Sequence, residues 1–331
     1  MVNQVLMQVG RLGMNMARMR RNFGKKGTPP GTESRHRIAT GRFEGEQAMM
    51  TRLSGAILRA VLVVLLIATP SILLDETSND TTQIVALLAV IAAIFTLVEY
   101  YSSSPSLVEF RDAPPFNRVR FLALFATVFI LTIILRGETD PTTITRFFKA
   151  IGANIGDVID FPYSPVRLVV LMMPATATET LVSQVRTAAG ISYLVSILSL
   201  AVFVLTLRLR GWPMGNKGFN VWVNLPTFDP TAGGDVVERL NRDAQFNLIL
   251  GFLLPFIIPA FVKLASDLFD PISLTNPHTL IWTITAWAFL PASLLMRGTA
   301  LTKVAMMIRT QRERAYAAAK NGTATAGFAR A

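Results

Sequence analysis

The sequence predicts an all-α integral membrane protein with six transmembrane helices, interfacial amphipathic helices and one short cytoplasmic β-like loop. Three observations carry that expectation. Apolar residues make up 51% of the chain and charged residues 16%, whereas an ordinary soluble domain has about 25% charged residues. Six stretches reach or approach the roughly 20 apolar residues that a helix needs to cross hydrocarbon. Lys and Arg fall almost wholly on alternate loops, as the positive-inside rule requires.

Taken in chain order, residues 1–24 come first. Val5, Leu6, Val9, Leu12, Met16 and Met19 recur near helical spacing, with Arg11, Arg18, Arg20 and Arg21 between them. This is the pattern of a basic amphipathic helix lying on an anionic cytoplasmic leaflet, or packed on the cytoplasmic loops or a partner. It lacks the continuous apolar core of a cleavable signal peptide. Residues 25–54 are Gly-, Pro-, Thr- and Arg-rich and read as a flexible cytoplasmic linker. The membrane domain follows over 55–300, with spans at about 56–74, 83–101, 120–136, 188–207, 246–265 and 280–296. A basic cytoplasmic tail, 301–331, reads as disordered after residue 317.

Charge distribution orients the spans. The first 59 residues hold eleven Lys and Arg, the 102–120 loop three, the 208–245 loop five and the stretch from Arg297 seven. All of these share one side. The opposite side carries five, between Arg136 and Arg186, balanced there by five acids. Both termini are therefore expected in the cytoplasm of a bacterial-type inner membrane. Three spans in each half permit an inverted repeat, but the halves share no visible pattern.

The outer cap, 142–185, carries an apolar stripe of Ile144, Phe147, Phe148, Ile151, Ile155 and Ile159. It reads as two interfacial or re-entrant helices broken by the Phe161-to-Pro165 turn, with the interfacial position the cheaper one. Asp157 and Asp160 read as a solvated face. The cytoplasmic loop, 208–245, alternates Phe219, Val221, Val223 and Leu225 with Asn220, Trp222 and Asn224, which is strand patterning. Pro226, Phe228 and Pro230 follow. Asp235 then stands as an N-cap, with Glu238 three residues on. Gly233-Gly234 ahead of a helix start can receive a phosphate, but Asp235 already fills that positive end. Trp222, Asn220, Asn224, Phe228 and Asp235 are thus the candidate partner or ligand contacts.

Few chemical groups lie inside the spans. Arg59 and Glu99 are close to span ends and within reach of the interface. Lys263 has Asp267 four residues on, a local neutralising pair. Ser192, Ser196, Ser199 and Thr206 form a small-polar stripe on the fourth span, the usual sign of close helix packing. Pro255 and Pro259 remove two backbone donors from the middle of the fifth span. The carbonyls they free would either coordinate an ion, as in transporters, or simply accompany a static kink. Pro255, Pro259, Lys263, Ser196 and Ser199 are therefore the intramembrane candidates.

Catalytic signals are lacking. Cysteine is absent and there are two histidines, so thiolate chemistry is excluded and a His-rich metal centre is not expected. No nucleotide fingerprint, nucleophile triad or paired-acid spacing is present, and no cofactor is expected. The net charge of +11 fits cytoplasmic loops and anionic lipid better than nucleic acid. The function expected is therefore non-enzymatic: a scaffold, assembly factor or accessory subunit with a membrane-protein partner or self-association. The alternative is a small-solute or ion transporter or channel using the double-proline helix.

Topology is directly testable with reporter fusions. Fusions after residues 110, 225 and 320 are expected to read as cytoplasmic and those after 78, 160 and 272 as external; an external reading at 225 would sink this orientation.

Overall fold

The computed structural model describes residues 32–74, 79–103, 105–213, 219–229, 231, 233–266 and 274–328, with side chains described over 49–320 of these. The chain divides into two compact units, Met1–Arg52 and Leu53–Ala331. Of the first unit only the helical residues 32–52 are described. Nine α-helices occur among the described residues: α1 Thr32–Leu73, α2 Asn79–Tyr101, α3 Phe116–Thr139, α4 Thr143–Ile159, α5 Pro165–Leu171, α6 Glu179–Leu209, α7 Val221–Asn224, α8 Val236–Ser266 and α9 Pro277–Phe328. Six of them (α1, α2, α3, α6, α8 and α9) are long and apolar enough to cross a membrane.

Three expectations are corrected. Residues 32–54, read as flexible linker, stand in α1. The linker-like Gly and Pro residues cluster at 24–31, and the following segment is rich in the helix formers Arg, Glu, Ala and Met. The tail after residue 317, read as disordered, continues α9 through Phe328; its Ala-rich start favours helix. The β-like loop contains no strand among its described residues. Asn220 instead caps the short helix α7, its side-chain oxygen accepting from the Trp222 N–H at 3.0 Å. An Asx cap of this kind satisfies the backbone locally and outcompetes an unpaired strand.

Two apolar cores lie along the second unit. One joins Val128, Leu131 and Ile134 of α3, Val166 and Val169 of α5, Val185 and Ala189 of α6 and Leu280, Ile284 and Trp287 of α9. The other joins Phe116 of α3, Phe203 and Leu207 of α6, Leu240 and Ala244 of α8 and Met296, Ala300 and Val304 of α9, together with Phe110, Trp212 and Leu225 from the loops. The first lies towards the α4–α5 end and the second towards the end rich in Lys and Arg, here called the basic end.

Hydrocarbon provides no hydrophobic drive between helices, so close contact and polar satisfaction must hold the bundle together. Glycine supplies that contact at two seams. A Cβ on Gly190 of α6 would lie 2.6 Å from the Gly156 Cα of α4, and one on Gly156 would lie 2.9 Å from the Arg186 carbonyl oxygen. A Cβ on Gly251 of α8 would lie 2.8 Å from the Pro291 carbonyl oxygen of α9, and one on Gly298 of α9 would lie 2.8 Å from that of Ala244.

The first seam splits the apolar stripe of α4. Phe148, Ile155 and Ile159 pack against the core, while Ile144, Phe147 and Ile151 remain exposed. The local stops are chemical. Thr142 caps α4 in a reciprocal capping box with Thr145, Ser164 caps α5 ahead of Pro165, and Thr178 caps α6. Asp160 is not on a solvated face: it is buried and accepts from Arg186 at 2.8 Å and Arg167 at 3.2 Å, while Asp157 is exposed.

Gly190→Ala is expected to lower stability by about 1–3 kcal/mol, because backbone rather than a flexible side chain occupies the space. Gly233→Ala, with nothing within 4 Å of the new methyl, is expected to be neutral. Thermal unfolding of both variants in the same detergent checks the pair.

Candidate functional site

At the basic end, the residues following α2 fold back over the bundle and line a partly open cavity. Glu99, in the last turn of α2, begins the construction. Its carboxylate accepts from the backbone N–H groups of Ser106 (3.1 Å), Leu107 (3.1 Å) and Val108 (3.2 Å), and from the Ser106 hydroxyl. Arg111 adds two bonds from Nη1, to the Glu99 carbonyl at 2.9 Å and the Ser102 carbonyl at 2.6 Å. A charge close to a span end thus becomes the buried hub of a tight loop. Snorkelling to solvent, the sequence expectation, would leave those three N–H groups without this partner.

The loop is also clamped from two other elements. The Asn224 carbonyl accepts from the Phe110 N–H at 2.7 Å, and its side-chain oxygen accepts from the Asp112 N–H at 3.1 Å. Phe110 sits at φ +52°, a left-handed backbone that costs about 1–2 kcal/mol in a residue with a Cβ. Burial of its ring offsets this cost: Phe116 lies 4.6 Å away and Trp212 5.7 Å away, centroid to centroid. The neighbouring Glu109 carboxylate accepts two bonds from Arg297 of α9, Nε at 2.6 Å and Nη2 at 2.8 Å, and one from the Thr227 hydroxyl at 2.9 Å. Asn117 of α3 donates to the Glu109 carbonyl at 2.7 Å.

The cavity holds about 620 Å³ and opens on one side, within the range of small-molecule sites. Its polar wall is Tyr100, Glu109, Asn117, Arg120, Ser293 and Arg297, and its apolar wall includes Phe121, Leu124, Leu254, Phe289 and Leu290. Arg120 differs from the other charges. Its guanidinium carbon lies 5.0 Å from the Phe116 ring centroid and 5.8 Å from that of Phe289. Its Nε is buried without a hydrogen-bond partner, and among the described residues no carboxylate is within ion-pair distance of it. Aromatic faces compensate a desolvated cation only in part. Beside the cavity, Arg59 of α1 stands over the Tyr100 ring at 4.5 Å.

The sequence-derived candidates fall in several places. Asn224 is buried in the clamp and Asn220 caps α7, so both position the loop. Trp222 is 61% exposed and makes no part of the cavity. Phe228 is buried beneath Arg239, whose guanidinium lies 4.7 Å from the ring centroid. Asp235 accepts from the Val237 N–H at 2.9 Å and from Arg312 at 2.7 Å. The Arg312 bond, followed by the Val237 one, holds its carboxyl below the usual range. Gly233-Gly234 therefore precedes a helix start whose carboxylate cap is already taken by an arginine.

The intramembrane candidates are drawn into packing. The Ser196 hydroxyl donates to the Ala288 carbonyl at 3.0 Å and that of Ser199 to the Ser196 carbonyl at 2.8 Å. Pro259 has no N–H to offer the Pro255 carbonyl four residues back; the Trp287 indole N–H supplies that bond at 3.1 Å. Pro255 and Pro259 are both buried and Lys263 is half-buried. Asp267, its expected partner, and Arg11, Arg18, Arg20 and Arg21 lie outside the described residues.

Sequence reading missed Arg120, Arg297, Glu109 and Tyr100. Tyr100, Arg120 and Arg297 stood at or just beyond a span end and Glu109 in the loop between two spans, where such residues are ordinary. Their only signal was that position. No family model, curated protein or solved structure matches the chain.

Glu109→Gln is expected to destabilise the protein by about 3 kcal/mol, since it leaves Arg297 uncompensated in a largely desolvated place. The double variant Glu109→Gln/Arg297→Gln is expected to cost less than the sum of the single ones. Additive losses in a double-mutant cycle would show that the pair contributes nothing of its own.

Proposed function

We propose that the protein is a non-enzymatic multi-pass membrane protein of a bacterial-type inner membrane, serving as a scaffold, assembly factor or accessory subunit, with both termini cytoplasmic. The observation that carries this reading is the contrast between its spans. Of the most apolar window of α9, 56% is buried within the chain, and of that of α2 only 6%. On α2, Ile84, Leu87, Leu88, Val90, Ile94, Phe95 and Val98 are all exposed, around most of the helix circumference. Between α1 and α2 runs a wholly apolar groove of about 320 Å³, floored by Ala60 and Ala93. Small residues of this kind let a foreign helix approach closely. A packed bundle that leaves α2 almost wholly uncovered suits a subunit that holds another membrane protein, or a second copy of itself.

The exposed Ile144, Phe147 and Ile151 of α4 fit an interfacial position in the outer leaflet. The basic residues of 1–24 fit contact with anionic lipid on the cytoplasmic side. Against a transporter built on the double-proline helix stands the Trp287–Pro255 bond, because a carbonyl already satisfied by an indole is a poor ion ligand.

The test is a photo-crosslinking residue at Phe95 in the full-length protein in its native membrane, followed by mild purification. Adducts from Phe95, absent from a matched probe at the buried Leu131, are expected. Recovery of an uncrosslinked monomer together with solute flux in liposomes would overturn the proposal.

A further inference from the structure

The charged cavity at the basic end has a composition that a structural joint does not need. Its Glu109 carboxylate is consumed by the bidentate Arg297 pair. That leaves Arg120, among the described residues, with no carboxylate in ion-pair contact and only the field of a Glu109 already bonded to Arg297, set between the Phe116 and Phe289 rings with Nε buried and unbonded. A desolvated guanidinium is stable beside an anion and costly without one. Space for such an anion exists, since Arg120 itself lines the cavity of about 620 Å³.

The rest of the wall indicates what carries the anion. Leu124, Leu254 and Leu290 line the same cavity, and Leu290 is exposed on the span surface of α9. A soluble anion would gain nothing from such a lining. An amphiphile would place its anionic group at Arg120 and its chain along the leucines. The position within the fold agrees: Arg120 lies in the second turn of α3, and Arg297, midway along α9, faces the same loop through Glu109, at the level where a lipid headgroup lies beside a span end.

We infer that this cavity binds an anionic phospholipid, its phosphodiester on the Arg120 guanidinium with Asn117 and Tyr100 beside it and the start of one acyl chain against Leu124, Leu254 and Leu290. The Arg120 guanidinium, with no ion pair of its own among the described residues and with Arg59 beside the cavity, favours an anionic headgroup over a zwitterionic one. The planar fork of arginine suits phosphate oxygens better than a lysine ammonium does. The Glu109–Arg297 pair acts as a positioning device that holds the loop closed over the site.

The test is lipid titration of the delipidated full-length protein, followed by native mass spectrometry. The probes are phosphatidylglycerol, phosphatidylcholine and inorganic phosphate. Wild-type protein is expected to retain one phosphatidylglycerol with at least a tenfold preference over phosphatidylcholine. Arg120→Gln is expected to weaken that binding by about tenfold or more, the loss of one charge-assisted contact. Ser293→Phe, which fills the cavity and keeps Arg120, is expected to weaken it similarly, and Arg118→Gln, an exposed charge two residues away, to leave it unchanged. Equal retention by the wild type, Arg120→Gln and Ser293→Phe would overturn the assignment, as would equal binding of the two lipids. Displacement of phosphatidylglycerol by equimolar inorganic phosphate would overturn the lipid as the source of the anion.

Discussion

The ion pair between Glu109 and Arg297 is the contact on which the basic end depends. It joins residues 188 apart in sequence, one in the loop after α2 and the other in the long helix α9. Two parallel bonds fix direction as well as distance, which a lysine could not do. With that point fixed, the loop needs only local chemistry. Glu99 gathers three consecutive N–H groups, Arg111 closes on two carbonyls, and Asn224 supplies the partners that Phe110 and Asp112 lack. The left-handed backbone at Phe110 becomes tolerable because its ring is buried among aromatics held by the same arrangement.

The opposite end follows the same rule with other residues. Asp160 is buried with Arg186 and Arg167 on it, while α4 and α6 meet at Gly156 and Gly190. Each end thus combines an inward carboxylate, arginines that reach it from a different element, and capped helix starts. Between them the core is aliphatic and aromatic. The arrangement reflects the membrane as solvent: polar groups must be satisfied within the chain, so they collect where elements converge at the ends.

The spans were legible because their signal is long, repeated and independent of partners. Composition and twenty-residue apolar runs suffice for α1, α2, α3, α6, α8 and α9, and Asp235 announces a helix start through its own backbone chemistry. The loop at 219–225 misled because alternation says which side chains are apolar, not which backbone partner is available; Asn220 provided a nearer one. Residues 32–54 misled because the Gly and Pro of the preceding segment coloured a stretch that itself favours helix. Arg120, Glu109 and Arg297 were invisible for a different reason. A charge at a span end or in a loop has an ordinary explanation in isolation, and only the folded chain brings these three to one wall.

The double-proline segment of α8 shows how the cavity keeps its shape. Two prolines in a helix ordinarily imply a hinge, because each removes a hydrogen bond and leaves a carbonyl open. Here the carbonyl freed by Pro259 is taken by Trp287 of α9, and one turn before Pro255 the backbone of α9 lies against Gly251 at Pro291. A third contact, Ala244 against Gly298, continues the seam towards the basic end. Leu254 lies between the first two contacts on α8, and Leu290, Ser293 and Leu294 lie among the facing positions of α9; all four line the cavity. A wall held at Ala244, Gly251 and Pro255 has little freedom to collapse onto Arg120. The double-proline helix that first suggests an ion path is instead satisfied by its neighbour and supports, through Leu254, the wall of a site for an amphiphile.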